Sequence, residues 1–166
     1  MVLFQGTHEL PQNILAALIA YQQKHVLDHR DGNFGRADCT DVARDFRVAI
    51  HDNVLLKPLR EGHYTVSIIK IDSTDTGIPG VIDISGPIDA FKERGFYYHE
   101  ANLIERPAQN GTEGLCAAID LTAHYNMDVE DGHNDIFIVV GNDRRNVLSA
   151  LNKITDDTVR WKISRK

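Results

Sequence analysis

Gly62-His63-Tyr64-Thr65-Val66-Ser67-Ile68-Ile69-Lys70-Ile71 is a glycine-introduced histidine running into a β-branched segment, and Gly80-Val81-Ile82-Asp83-Ile84-Ser85 answers it. Alternating, β-rich runs of this length read as strands. The connection Asp72-Ser73-Thr74-Asp75-Thr76-Gly77-Ile78-Pro79-Gly80 has the composition of a turn, so the two runs read as a hairpin. Paired in that way, they set a histidine at the head of one strand and a lone carboxylate inside the next. An inward Asp83 is costly without a partner, and an acid behind an imidazole fixes its tautomer and orientation.

Outward from this pair the chain alternates. Asn13 to about Asp28 reads as an amphipathic helix, with Pro11 before it and Ile14, Leu15, Leu18, Ile19 and Val26 near helical spacing. Asp31 to Gly35 is loop by composition, and a second helix follows, with Val42, Phe46 and Ile50 on one face and Thr40 or Asp41 as its cap. Gly86-Pro87 starts a short helix to about Arg94, Phe96 to Glu105 reads as extended, and Leu115 to Tyr125 reads as a third long helix with Cys116 in its first turn. Ile136 to Val140 is a buried strand, Asp143 to Lys153 a helix and Thr158 to Ser164 a last strand. The expected class is α+β, one domain with a central, mainly antiparallel sheet and flanking helices.

Composition narrows the chemistry. At 166 residues one domain over 7–166 is expected, while 1–6, Met1-Val2-Leu3-Phe4-Gln5-Gly6, resembles the remnant of a tag-removal protease site and has no signal-peptide features. No stretch approaches the roughly 18 to 20 apolar residues of a membrane span. Acidic residues outnumber Lys plus Arg, 24 to 18, which argues against a nucleic-acid partner. Arg160, Lys162, Arg165 and Lys166 read as a solvated basic tail. Two distant cysteines, Cys39 and Cys116, make neither a disulfide framework nor a paired-thiol motif, so a reducing, cytoplasmic-type compartment is expected. His25 and His29 stand four apart on one helix face, but no third ligand or general base accompanies them, and no metal or cofactor is expected.

A histidine oriented by an acid calls for a nucleophile, and a thiol becomes one when an imidazole takes its proton. Cys116 is preceded by Gln109, whose amide could join a backbone N–H as oxyanion donor. Cys39 precedes or opens a helix, where the macrodipole favours a thiolate, although Asp38 and Asp41 oppose it. The order His63, Asp83, Gln109, Cys116 is favoured over Cys39, His63, Asp83, and both stay open. A non-catalytic acidic interaction or inhibitor domain is the reading from a different class.

His63-Tyr64, Asp83 and Gln109-Asn110-Gly111-Thr112-Glu113-Gly114-Leu115-Cys116 resemble the adenoviral-protease and SUMO-protease superfamily of cysteine peptidases, with the related Yop-type effector acetyltransferases. Asp38-Cys39-Thr40-Asp41 is similar to the Asp-Cys-x-Asp of several papain and transglutaminase-like families. These resemblances imply a papain-like cysteine protease fold. From the first they imply a thiol hydrolase acting on a ubiquitin-like or host protein tail, with Cys116 as nucleophile, His63 as base, Asp83 as orienter and Gln109 in the oxyanion hole. The effector branch implies delivery into a host cytosol and an acetyl coenzyme A reaction, for which the chain has no phosphate-cradling glycine loop. The second resemblance implies a hydrolase or deamidase working through Cys39.

Overall fold

The computed structural model describes residues 2–6, 8–26, 39–72, 98–122, 136–154 and 161–164. The segments around Asp83 and His29, and the expected short helix after Gly86, lie outside the described residues. Six strands form one sheet: β1 (Val2–Gly6), β2 (Thr65–Asp72), β3 (Tyr98–Arg106), β4 (Leu115–Asp120), β5 (Ile136–Gly141) and β6 (Lys162–Ile163). Their spatial order is β1-β5-β4-β3-β2-β6. Every neighbouring pair is antiparallel except β1 with β5, which is parallel. The class is α+β, as the alternation of the sequence implies.

The helices are α1 (Gln12–Tyr21), α2 (Cys39–Ala49), α3 (Lys57–Glu61) and α4 (Arg144–Ile154). They cover both faces of the sheet. On one face Ile14 and Leu18 of α1, Phe46 of α2 and Leu59 of α3 pack on Ile104, Ala117, Ile119, Ile138 and Val140. On the other, Val147 and Leu151 of α4, with Trp161, pack on Leu103, Cys116, Ala118, Phe137 and Val139. The alternation 115/117/119 against 116/118 along β4 is the period-2 signature of a strand with two buried faces.

Three expectations change. Leu115 to Asp120 is strand β4, not the start of a helix, because all six positions are buried between β3 and β5. Leu-Cys-Ala-Ala satisfies either structure locally, and sheet pairing decides it. Val2–Gly6, left out of the expected fold, pairs as β1 in register from Val2↔Ile136 to Gly6↔Val140. The helix from Asn13 ends at Tyr21 and continues as a π-helical turn over Gln22–Val26, where buried Gln22 donates through Nε2 to Leu121 O at 3.0 Å. Within the expected last strand, Lys162–Ile163 is β6, and residues 158–160 lie outside the described residues.

The polar anchor of α2 is Asn102, 2% exposed, whose Nδ2 donates to Ala43 O at 2.9 Å and to Ser67 O at 3.4 Å. One turn on, Phe46 is fully buried in the same core as Ile104, and Ile50 O accepts from Arg60 Nη1 at 3.0 Å. Thus α2 runs in the direction of β3, with its N-terminus toward Glu100 and its C-terminus toward Tyr64. Phe46→Ala is expected to cost about 3–5 kcal/mol in urea denaturation, against less than about 0.5 for Val48→Ala on the exposed side of the helix. Similar losses for the two would mean that α2 does not face the sheet as described.

Candidate functional site

His63 ends a helix rather than opening a strand. Its N–H donates to Arg60 O at 3.0 Å and the next N–H, of Tyr64, to Leu59 O at 2.9 Å, so the two residues take up carbonyls at the close of α3. The price of that turn is a left-handed backbone at His63, φ 60°, where glycine or asparagine is usual. Gly62 before it has no room for a side chain: a Cβ there would stand 2.8 Å from Tyr64 Cε2. The His63 ring is exposed.

Neither cysteine is beside it. Thr65, Glu105, Cys116 and Gly141 form one row across four strands. Thr65 and Cys116 are therefore two strand spacings apart, roughly 10 Å, and His63 is two residues further out. Cys39 is the first residue of α2, and the other end of that helix meets Arg60, the residue whose carbonyl holds His63. The length of α2, about 15 Å at 1.5 Å per residue, lies between them. The strand register thus separates His63 from Cys116, and the helix length separates it from the backbone position of Cys39, while Asp83 lies outside the described residues.

Gln109 is exposed at the tip of the β3–β4 hairpin, bridged to Thr112 by N–H to O bonds of 3.0 and 2.7 Å across Asn110 (φ 45°) and Gly111 (φ 81°). Two central residues with positive φ make a type I′ turn, for which Asn-Gly is the favoured pair. The turn stands four strand positions beyond Cys116, roughly 13 Å. Gln109 here forms the hairpin end. His25 of the candidate metal pair stacks on Tyr21, centroids 4.8 Å apart, with its Nε2 3.1 Å from Asn53 Nδ2. Among the described residues no three His, Cys, Asp or Glu side chains converge as a metal set.

Cys116 is 1% exposed, and its thiol is pushed from an ordinary 9.0 up to about 12: burial is the largest cause, the Glu105 carboxylate and Asp143 add to it, and the Arg144 guanidinium opposes it. That is the opposite of the shift that makes a thiolate nucleophile. Above it, the ends of β3, β4 and β5 and the start of α4 enclose an open groove of about 660 Å³. Arg144 clasps Glu105 across the groove with two bonds, Nη2 to Oε1 at 2.7 Å and Nε to Oε2 at 3.2 Å. Asn142 donates to Glu113 at 3.2 Å and accepts from Asn146 at 2.5 Å, and Asp143 caps α4 by accepting from Asn146 N at 2.8 Å. Sequence reasoning missed the groove because its charged residues come from three separated segments and form no local motif.

Comparison with family models, with curated proteins and with solved structures finds no match. The groove and the Cys116 thiol therefore stand on their own geometry.

Two measurements check this account. His63→Gly is expected to hold or raise stability by up to about 1 kcal/mol, because it relieves a left-handed side chain; a clear loss would show a stabilising role for the imidazole. A thiol that keeps its proton when folded but loses it when unfolded makes stability fall as pH rises from 9.0 toward 12. Wild type should then lose about 1.4 kcal/mol per pH unit more than Cys116→Ala in that window. Parallel urea-derived stabilities for the two proteins would refute the raised value.

Proposed function

We propose that the chain is a non-catalytic interaction domain that binds a segment of a protein partner in the groove at the hairpin end of the sheet. The observation that carries this reading is the groove itself, an open space of about 660 Å³ whose polar walls are already held in place by the Glu105–Arg144 fork and the Asn142 bonds. Groups fixed before a partner arrives lose little freedom on binding, which is what preorganisation contributes to affinity. The thiol at its floor stays protonated and so adds shape rather than reactivity. No described helix is long and apolar enough to cross a membrane.

A second reading, a papain or transglutaminase-like thiol hydrolase or deamidase, is favoured by one observation: Cys39 is the first residue of α2, where the helix dipole favours an anion. It requires a base other than His63 as His63 stands here. The adenoviral-protease-type hydrolase and the effector-type acetyltransferase, both through Cys116, draw on the sequence resemblance alone.

Selection of displayed peptides on the wild-type chain, with counter-selection on a Glu105→Ala/Arg144→Ala protein, should enrich clones that bind only the former. If no clone distinguishes the two, the groove is not the binding site. Iodoacetamide labelling separates the readings: the interaction domain predicts that neither thiol reacts with an apparent pKa well below ~8.5. A low apparent pKa retained in Cys116→Ala and lost in Cys39→Ala would favour the hydrolase instead.

A further inference from the structure

Asn110-Gly111, the tip of the β3–β4 hairpin, is exposed and takes no part in the walls of the groove. It is the one Asn-Gly pair in the chain; every other asparagine precedes a residue that carries a side chain. The cross-turn bonds are made by the amides of Gln109 and Thr112. Among the described residues, neither the Gly111 N–H nor the Asn110 side-chain amide makes a hydrogen bond. A Cβ placed on Gly111 would meet nothing within 4 Å, so the space beside it is open. A side-chain amide thus stands one residue from a main-chain nitrogen that no side chain crowds, and neither group is engaged elsewhere.

We infer that Asn110-Gly111 is a self-modifying site, at which the Gly111 nitrogen attacks Asn110 Cγ and, with water as the only co-reactant, converts the asparagine to aspartate and isoaspartate. The N–Cγ bond forms, the Cγ–Nδ2 bond breaks, and ammonia leaves with the Gly111 N–H proton, closing a five-membered succinimide. Water then opens the ring. Cleavage of N–Cγ gives aspartate, and cleavage between the nitrogen and the main-chain carbonyl carbon of residue 110 gives isoaspartate, with the chain routed through Cβ. Bringing the nitrogen onto Cγ requires rotation about the Asn110 Cα–C bond, which draws Gly111 out of the turn. The reaction therefore runs through local opening of the tip, where two hydrogen bonds are lost and all four turn residues are already exposed.

Isoaspartate adds a methylene to the backbone of a two-residue turn shaped for two positive-φ residues, so the Gln109–Thr112 bonds do not re-form. Pro107, Ala108, Glu113 and Gly114, just inside those bonds, line the groove. On the groove reading above, the modification loosens one wall of the binding site as the molecule ages.

The test incubates the full-length protein at mildly alkaline pH and follows each asparagine by peptide mapping and mass spectrometry, with isoaspartate counted by isoaspartyl methyltransferase labelling. Asn110 should gain acid severalfold faster than any other asparagine, yet severalfold slower than in an unstructured peptide of residues 105–116. Asn110→Gly, which suits the positive φ and lacks the amide, should give no product there. An Asn110 that stays intact while the peptide converts fully overturns the proposal, as does another asparagine that converts as fast. Hydrogen exchange at the Gln109 and Thr112 amides should quicken at least severalfold in the isoaspartyl form; unchanged protection would overturn its effect on the groove wall. None of these measurements needs a partner, so their failure leaves the groove reading standing, and a failed peptide selection leaves the modification standing.

Discussion

Burial of β4 and β5 on both faces is the constraint on which the described structure depends. All six residues of each strand are buried. Their backbone polar groups are met by β3 on one side and β1 on the other, and their side chains by helices above and below. A two-sided strand cannot exist without two covering layers, which is why α1, α2 and α3 share one face while α4 takes the other. Asn102 adds a polar peg between these layers, tying α2 to β3 at a fixed level along the sheet.

The same constraint sets the chemistry of Cys116. A thiol in a strand that must be dry loses the solvation its anion needs, and Glu105, its neighbour across the ladder, adds a like charge. Meanwhile the ends of those strands cannot be dry, because the sheet stops there. The groove forms where the hairpin, the β5–α4 connection and the first turn of α4 diverge, and charged residues gather at that boundary.

Much of this architecture was legible in the residues. Ile68 and Ile69 mark β2, Ile136 to Val140 mark β5, and Val147 and Leu151 mark the inner side of α4, because alternation or helical spacing is strong in each. Cys116 was misplaced for a physical reason: Leu-Cys-Ala-Ala-Ile-Asp carries no local preference strong enough to choose, so its neighbours across the sheet choose for it. His63 was misjudged by a single step. The glycine before it signalled a break in the chain, but the break belongs to the end of α3, and the β-branched run begins two residues later at Thr65. The groove was not legible at all, since its main ion pair joins residues 39 apart in the chain. Asp83, on which the expected histidine–acid pair depended, lies outside the described residues.

The parallel strand β1 has a consequence for the order of assembly. Val2 pairs with Ile136, so closing that contact means bringing together nearly the whole chain, whereas the β3–β4 hairpin closes across a short turn. Contacts so distant in sequence are entropically the slowest to reward the chain, and β1 is therefore expected to dock after the antiparallel strands have formed. Until it does, β5 is an edge of five consecutive apolar residues, Ile136-Phe137-Ile138-Val139-Val140, with no charge or proline to discourage pairing with another molecule. In the finished fold β1 takes up that edge of β5, pairing along Ile136 to Val140.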